Sequence, residues 1–307
     1  MAEAADIIVG AVLMDNIVYA DGSRRDDIPG GAGLYALAGA ALFGDAAVLV
    51  TGTGRDLPQT FGPWLDRNGL TTRGLRFADD HAPRNIMRYL DERTRTEAPV
   101  YGADHFRRIE PTAADIARVI AGARSLFIFR NLDPTFWADT LPLIAAHRPL
   151  TMWEIALDAC LPENLGRIEE LARAVDALSI NLDEAALIYG AADEARLIAR
   201  LRAIGTRTVF LRAGARGSFV ITAGAVRFVP SLPVAPIDVT GGGNAYGGAA
   251  LVGLAQGLNP LQAGAMGTVA ARLAISQYGP PEAGSASSRA TAAALVAELM
   301  TTLEQTA

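Results

Sequence analysis

The chain has no lysine: all 27 of its basic side chains, histidine aside, are arginine. That absence removes whole chemistries. Without a side-chain amine no Schiff base can form, which excludes pyridoxal-phosphate enzymes and the imine-forming aldolases. Without a P-loop lysine, the NTPases built on that loop are excluded as well. If such a chain handles phosphates, it must use main-chain N–H groups, helix N-termini, arginine and a metal ion. Cysteine occurs once, at Cys160, so no internal disulfide forms, and a reducing, cytoplasmic setting is expected. Half of the residues are hydrophobic, yet no run of eighteen is purely apolar, so no membrane partner is expected. The opening MAEAADIIVG lacks the basic and apolar regions of a signal peptide, and none is expected. The net charge of −6, with no basic tail, argues against a nucleic-acid partner. His81, His105 and His147 show no paired spacing, so a zinc site is not expected. No G-x-S-x-G occurs, and Cys160 reads as a small buried residue.

What is present is alternation. Residues 6–14, DIIVGAVLM, read as one buried strand ending near Asp15. DGSRRDDIPGGAG reads as a polar, turn-rich connection, and GLYALAGAALFG (33–44) as a tightly packed helix. AAVLVTGTG (46–54) is a second buried strand, and LPQTFGPWLDRNG a helix ended by Gly69. Residues 84–102 mix β-formers with charges, which suggests exposed strands standing off the main body. From SLFIFRNL onward, strands and helices alternate as far as the hairpin GSFVITAGAVRFVP. GGGNAYGGAALVGLAQG then opens a helix that is apolar on nearly all sides, hence buried. Repeated strand–helix units imply a mostly parallel sheet covered on both faces, with ligands beyond the carboxyl ends of its strands. At 307 residues, one large α/β domain with a small appendage is expected across 1–307. Trp153 and Glu154 fall at a strand end, where they could line the cleft; a packed indole is the expected role.

The stretch VTGGGNAYGG, residues 239–248, carries the functional signal. Three glycines lead into an apolar helix, so unpaired N–H groups and the positive end of the dipole face one spot, and glycine lets an anion come close. The same glycines also suit a tight turn, with Asn244 as an ordinary N-cap. GAGLYA (31–36) formally fits G-x-G-x-x-A. A dinucleotide fingerprint needs a strand immediately before it, however, and RRDDIP does not read as one.

DVTGGGNAYGG resembles the C-terminal signature of the PfkB, ribokinase-like family, D-T-x-G-A-G-D-x-F-x-G-G. Further segments match in the same order. GGAGLYALAGAALFG resembles the N-terminal di-glycine segment. SINLDEAALIYG resembles the N-x-x-E element, giving Asn181 and Glu184. LRAGARGSF resembles the T-L-G-x-x-G element, with Gly214 and Gly217. The resemblance runs from about residue 7 to 300.

It implies a ribokinase-like doubly wound α/β fold: a mostly parallel sheet with helices on both faces, and a small β-sheet lid from about 15–25 and 84–103. It also implies transfer of the ATP γ-phosphoryl to a hydroxymethyl of a sugar, nucleoside or related small molecule. Asp15, Gly30 and Gly31 would contact substrate hydroxyls. Gly241, Gly242 and Gly243 would hold the transferring phosphoryl. Asn181 and Glu184 would organise Mg2+ through water, and Arg212, Gly214 and Gly217 would lie beside the nucleotide. Asp238 and Thr240 would take a monovalent cation, K+. The lid sheet would offer a homodimer interface, since open sheet edges invite pairing.

The chain also departs from the family pattern. Asn244 stands where the proton-accepting Asp belongs, and an amide can accept a hydrogen bond but not a full proton near pH 7. Tyr35 replaces the usual substrate-binding Asn, and Arg212 replaces the Thr of T-L-G. A positioned base contributes roughly 10²–10⁴-fold, while most phosphoryl-transfer catalysis is positioning and charge stabilisation. The expectation is therefore an MgATP-dependent kinase. A catalytically weak or inactive relative that binds nucleotide or sugar, as a sensor or structural subunit, is the alternative.

Overall fold

The computed structural model describes residues 4–89, 95–190 and 193–305. Its strands, in chain order, are β1 (Asp6–Val9), β2 (Leu13–Val18), β3 (Arg24–Gly30), β4 (Ala47–Gly54), β5 (Leu75–Asp79), β6 (Arg84–Tyr89) and β7 (Arg95–Pro99). They continue with β8 (Ser125–Arg130), β9 (Leu150–Ile155), β10 (Ala177–Asn181), β11 (Thr208–Arg212), β12 (Gly217–Ile221) and β13 (Val226–Pro230). Among the described residues these form two sheets. The larger has nine strands in the order β13-β12-β11-β10-β9-β8-β1-β4-β5, and the smaller four in the order β3-β2-β6-β7. From β11 to β5 every pairing in the larger sheet is parallel, and the two pairings beyond, β11–β12 and β12–β13, are antiparallel.

The parallel strands are apolar because both their faces are covered. All of β1 and β4 is buried. One core layer lies under the helices Ala32–Ala41, Gly242–Ala255 and Pro260–Ala274. The other lies under Pro134–His147, Leu165–Arg173 and Glu194–Ile204. Small residues let the first layer close up. A Cβ at Gly39 would fall 2.0 Å from the Ala245 carbonyl oxygen, and one at Gly248 2.0 Å from that of Ala36. The helices Ala32–Ala41 and Gly242–Ala255 therefore touch backbone to backbone.

Several local expectations are corrected. The run 6–14 is two strands. After Val9 the chain leaves the large sheet at Gly10, packed on the Gly33 backbone, and enters the small sheet at Leu13. Asp15 accordingly sits inside β2, opposite Ile28 and Asn85, rather than at a strand end. RRDDIPG is a strand, β3, despite its polarity. It is an exposed edge of the small sheet, held by main-chain pairing to β2, so it needs few apolar residues. The single helix expected over 57–69 is a 3₁₀ turn, Leu57–Gln59, and a short helix, Gly62–Arg67, with a proline near each start. Gly69 closes it at φ +64°, as expected. β5 and the helix Gly102–Ile109 were not anticipated from the sequence, although the helix is amphipathic, with His105 and Ile109 on its buried face. Within the exposed-strand segment 84–102, residues 90–94 lie outside the described residues.

Candidate active site

The helix Gly242–Ala255 begins at a left-handed Gly241, φ +75°, with no side-chain cap. Its ladder starts with Ala245 N–H donating to the Gly241 carbonyl at 2.9 Å. The Thr240 amide is taken by Asp238 Oδ1 at 2.9 Å. The amides of Gly241, Gly242 and Gly243 have no acceptor among the described residues. An uncapped N-terminus of this kind is a ready anion site. Two side chains flank the turn. A Cβ at Gly241 would overlap the Tyr35 ring at 2.1 Å, and one at Gly243 would lie 1.6 Å from Arg212 Nη1. Glycine is thus required here by protein contacts as well as by any ligand.

Three neighbouring strands bring polar groups to the same end of the sheet. Glu154 comes from β9, Asn181 closes β10, and Arg212 closes β11 opposite Asn181. Glu154 is only 2% exposed. Its Oε1 accepts from Asn244 Nδ2 at 2.8 Å and faces Arg212 Nη2 at 3.3 Å. Its Oε2 accepts from Ser179 Oγ at 3.3 Å. Burial pushes the Glu154 carboxyl up to about 7. Arg212, Ser179 and Asn244 pull the other way, and Glu184 adds to the rise. Arg212 Nη2 also stands 3.7 Å from Glu184 Oε2. Glu184 and Asn181 form a reciprocal capping box: each side chain accepts from the other's main-chain N–H at 2.8 Å.

A cavity of about 490 Å³ opens at this point, lined by Asn181, Arg212, Gly214, Gly217, Gly242 and Gly243 among others. Residues far apart in sequence, singled out for nucleotide and phosphate, thus share one wall. A second cavity, of about 560 Å³, lies on the small-sheet side, with Ile17, Tyr19, Tyr89, Asp238 and Tyr278 in its lining. Pro236 and Val239 border both. The expected substrate residues Asp15, Gly30, Gly31 and Tyr35 line neither cavity, and nor do Glu184, Thr240, Gly241 and Asn244. Asp15 is buried against Gly30. Tyr35 is buried too; burial, with the nearby carboxylates Asp238 and Asp15, pushes its phenol well above the usual range.

Sequence reasoning named Glu154 as a cleft candidate but preferred a packed indole at this strand end and gave the residue no role. Trp153 does pack, at 0% exposure, but its neighbour points the other way, into the site. The available signal was position: the carboxyl end of a central parallel strand is where such folds bind ligands. The tyrosines Tyr19, Tyr89 and Tyr278 were missed, because they come from three separate segments.

Comparison with known proteins follows the same geometry. Residues 7–285 match the pfkB family carbohydrate kinase profile. Over 278 residues the chain is 26% identical to a cytidine kinase of Thermococcus kodakarensis, covering 89% of this chain and 96% of that one. A structure described as a sugar kinase from Rhizobium etli superposes with a TM-score of 0.79 at 19% identity, covering 96% of this chain and 100% of that one. An E. coli structure described as a ribokinase II in complex with ATP and Mg2+ gives 0.77 at 17% identity, with coverage of 96% and 100%. With that profile matched over most of its length, around the glycine turn and the Asn181–Glu184 capping box, the chain belongs to the pfkB family of carbohydrate kinases.

Proposed function

We propose that the protein transfers the terminal phosphoryl group of ATP to a hydroxymethyl group of a small nucleoside or sugar, in the cytoplasm. The observation that carries this reading is the shared cavity. Asn181, Arg212, Gly214 and Gly217 meet the first turn of the helix Gly242–Ala255, whose leading amides are free. The nucleotide lies there, with its terminal phosphate on the amides of Gly241, Gly242 and Gly243. The acceptor lies across the Pro236–Thr240 segment, in the second cavity, oriented from behind by Asp15, Gly30, Gly31 and Tyr35. The small sheet, from about 15–25 and 84–103, acts as a lid on a single domain spanning 1–307.

Among the described residues no cluster of three or more metal-ligating side chains forms. This donor set fits Mg2+ carried by the nucleotide, which needs one or two carboxylates besides phosphate and water. Glu184 Oε2 is committed to the Asn181 amide, which leaves Oε1 for a water of the ion. When bound, Mg2+ neutralises charge on the phosphate oxygens. Asp238 and Thr240 are the place for K+: Thr240 Oγ1 is buried without a protein partner, an oxygen suited to an alkali cation.

The remaining work falls to the chain. The helix N-terminus and Arg212 stabilise charge as the acceptor oxygen attacks phosphorus and the bridging oxygen leaves with ADP. Asn244 accepts a hydrogen bond from the hydroxyl and directs its lone pair. It cannot keep the proton, which leaves on the transferred phosphoryl group. A sensor without turnover is not favoured, because the matching family and relative are kinases.

The test is ADP release from MgATP with cytidine, adenosine and ribose as acceptors. Acceptor-dependent release supports the reading. No release, together with no rise in melting temperature from MgATP or any acceptor, overturns it. Among the described residues β3 and β7 are the edge strands of the small sheet, where a second copy would pair, and light scattering of the purified protein reports that stoichiometry.

A further inference from the structure

Glu154 and Asn244 are 90 residues apart in sequence and joined by one hydrogen bond. The bond has a forced direction. Glu154 Oε1 faces two donors, Asn244 Nδ2 and Arg212 Nη2. Arginine offers only donors and stays charged, so Oε1 is the carboxyl oxygen that carries no proton. A proton on this side chain, when present, sits on Oε2, where Ser179 Oγ can receive it. In either state Asn244 must present its NH₂ to Glu154. Its carbonyl Oδ1 is then turned away from Glu154, has no protein partner among the described residues, and is not among the buried orphan atoms, so it is open to solvent on the side away from Glu154.

The space for this arrangement is built in. A Cβ at Gly247, one turn along the helix from Asn244, would lie 2.6 Å from Glu154 Oε2. The charged groups facing Glu154 are Arg212 from β11 and Glu184 from the helix that follows β10, Leu182–Tyr189. The wall behind Asn244 is therefore acidic. The family's Asp, placed at 244, would oppose a second carboxyl at hydrogen-bond distance, and the two would have to share one proton.

We infer that Glu154 and Asn244 are a reciprocal acid–amide pair: Glu154 is the positioning residue that turns the Asn244 carbonyl toward the acceptor hydroxyl, and a carboxylate at 244 works only opposite an amide at 154. The inference rests on the kinase reading above. In this chain the carboxylate at this point stands on the strand behind the helix, at Glu154, and the helix carries the amide. Restoring the family's Asp by itself does not restore the family's base.

The test is a four-member cycle: wild type, Glu154→Gln, Asn244→Asp and the double variant. Each is measured as ADP release from MgATP with the best acceptor of the cytidine, adenosine and ribose panel, and as a melting midpoint. Glu154→Gln frees the Asn244 amide to rotate, and kcat falls about tenfold or more while KM for ATP stays within about twofold. Asn244→Asp alone lowers both kcat and the midpoint. The double variant exceeds Asn244→Asp by about tenfold or more in kcat and recovers its midpoint, a rescue that simple loss of structure would not produce.

An Asn244→Asp variant that gains about tenfold in kcat by itself overturns the inference. So do two substitutions whose effects combine independently. If Glu154→Gln does not fold, Asn244→Asp still decides, since a gain overturns the pair and a joint loss of rate and midpoint supports it. If the wild type turns over no acceptor, the kinase reading fails separately. The midpoint cycle then still reports the pair, and absence of coupling in it overturns the pairing.

Discussion

Arg212 Nη1 occupies the place where a side chain at Gly243 would begin, since a Cβ built there stands 1.6 Å from it. A cation thus rests against the positive end of a helix. Glu154 at 3.3 Å and Glu184 at 3.7 Å offset that cost, and an arriving phosphate would offset more of it.

Gly243→Ala should therefore fold, because the clashing atom is the end of a long side chain that can swing aside. A stability loss of about 1 kcal/mol is expected. Binding of MgADP should weaken by about tenfold or more, since the guanidinium and the free amide are both disturbed. Calorimetric titration beside a melting curve separates the two effects, and a variant with unchanged affinity would remove Arg212 from the phosphate site.

Arg212→Ala leaves Glu154 and Glu184 without their shared cation. The pH window over which Glu154 alters stability should then extend to higher pH, because the lowering influence on Glu154 is gone while burial and Glu184 remain. Nucleotide affinity should fall by about tenfold to a hundredfold, the worth of a charge-assisted hydrogen bond of roughly 1.5–3 kcal/mol. Arg212→Lys should rescue this only in part, because a point charge cannot reach both carboxylates and phosphate at once.

Stability should also carry the mark of Glu154. Its carboxyl is raised from 4.5 to about 7 in the folded protein. Between those values the folded state holds a proton that the unfolded state does not. The contribution is full below about 4.5 and is lost as pH rises through about 7. Subtracting the Glu154→Gln curve from that of wild type isolates this slope in chemical unfolding. A flat difference across the window would contradict it.

Gly39→Ala should destabilise strongly from a position that lines neither cavity. The new methyl meets the Ala245 carbonyl oxygen at 2.0 Å, a main-chain atom that cannot rotate away. A loss of about 1–3 kcal/mol or more is expected from this overpacking. The helix Gly242–Ala255 would also shift, so activity should fall together with the melting midpoint.

Legibility followed locality. The buried strands β4, β8 and β9 could be read because continuous apolar runs mark strands covered on both faces. The helix Pro134–His147 starts at its proline, behind Asp133, which caps Phe136 N–H. The Asn181–Glu184 capping box and the left-handed Gly241 are also properties of a few adjacent residues. β3 was not legible, because an exposed edge strand is held by main-chain bonds to its neighbour and leaves little trace in side-chain type. The division of 6–14 was hidden likewise: Gly10 ends β1 by meeting Gly33, and nothing near Gly10 announces it.

By itself, then, the sequence determined the parallel α/β class, the uncapped glycine turn, and the exclusion of every chemistry that needs a lysine. These depend on composition and on patterns within a turn or a strand. Tertiary structure alone decided which carboxylate stands behind Asn244, which side chains crowd Gly241 and Gly243, and which tyrosines face the second cavity. Each of these joins atoms from distant segments, and such distances follow from how the layers pack rather than from any local pattern.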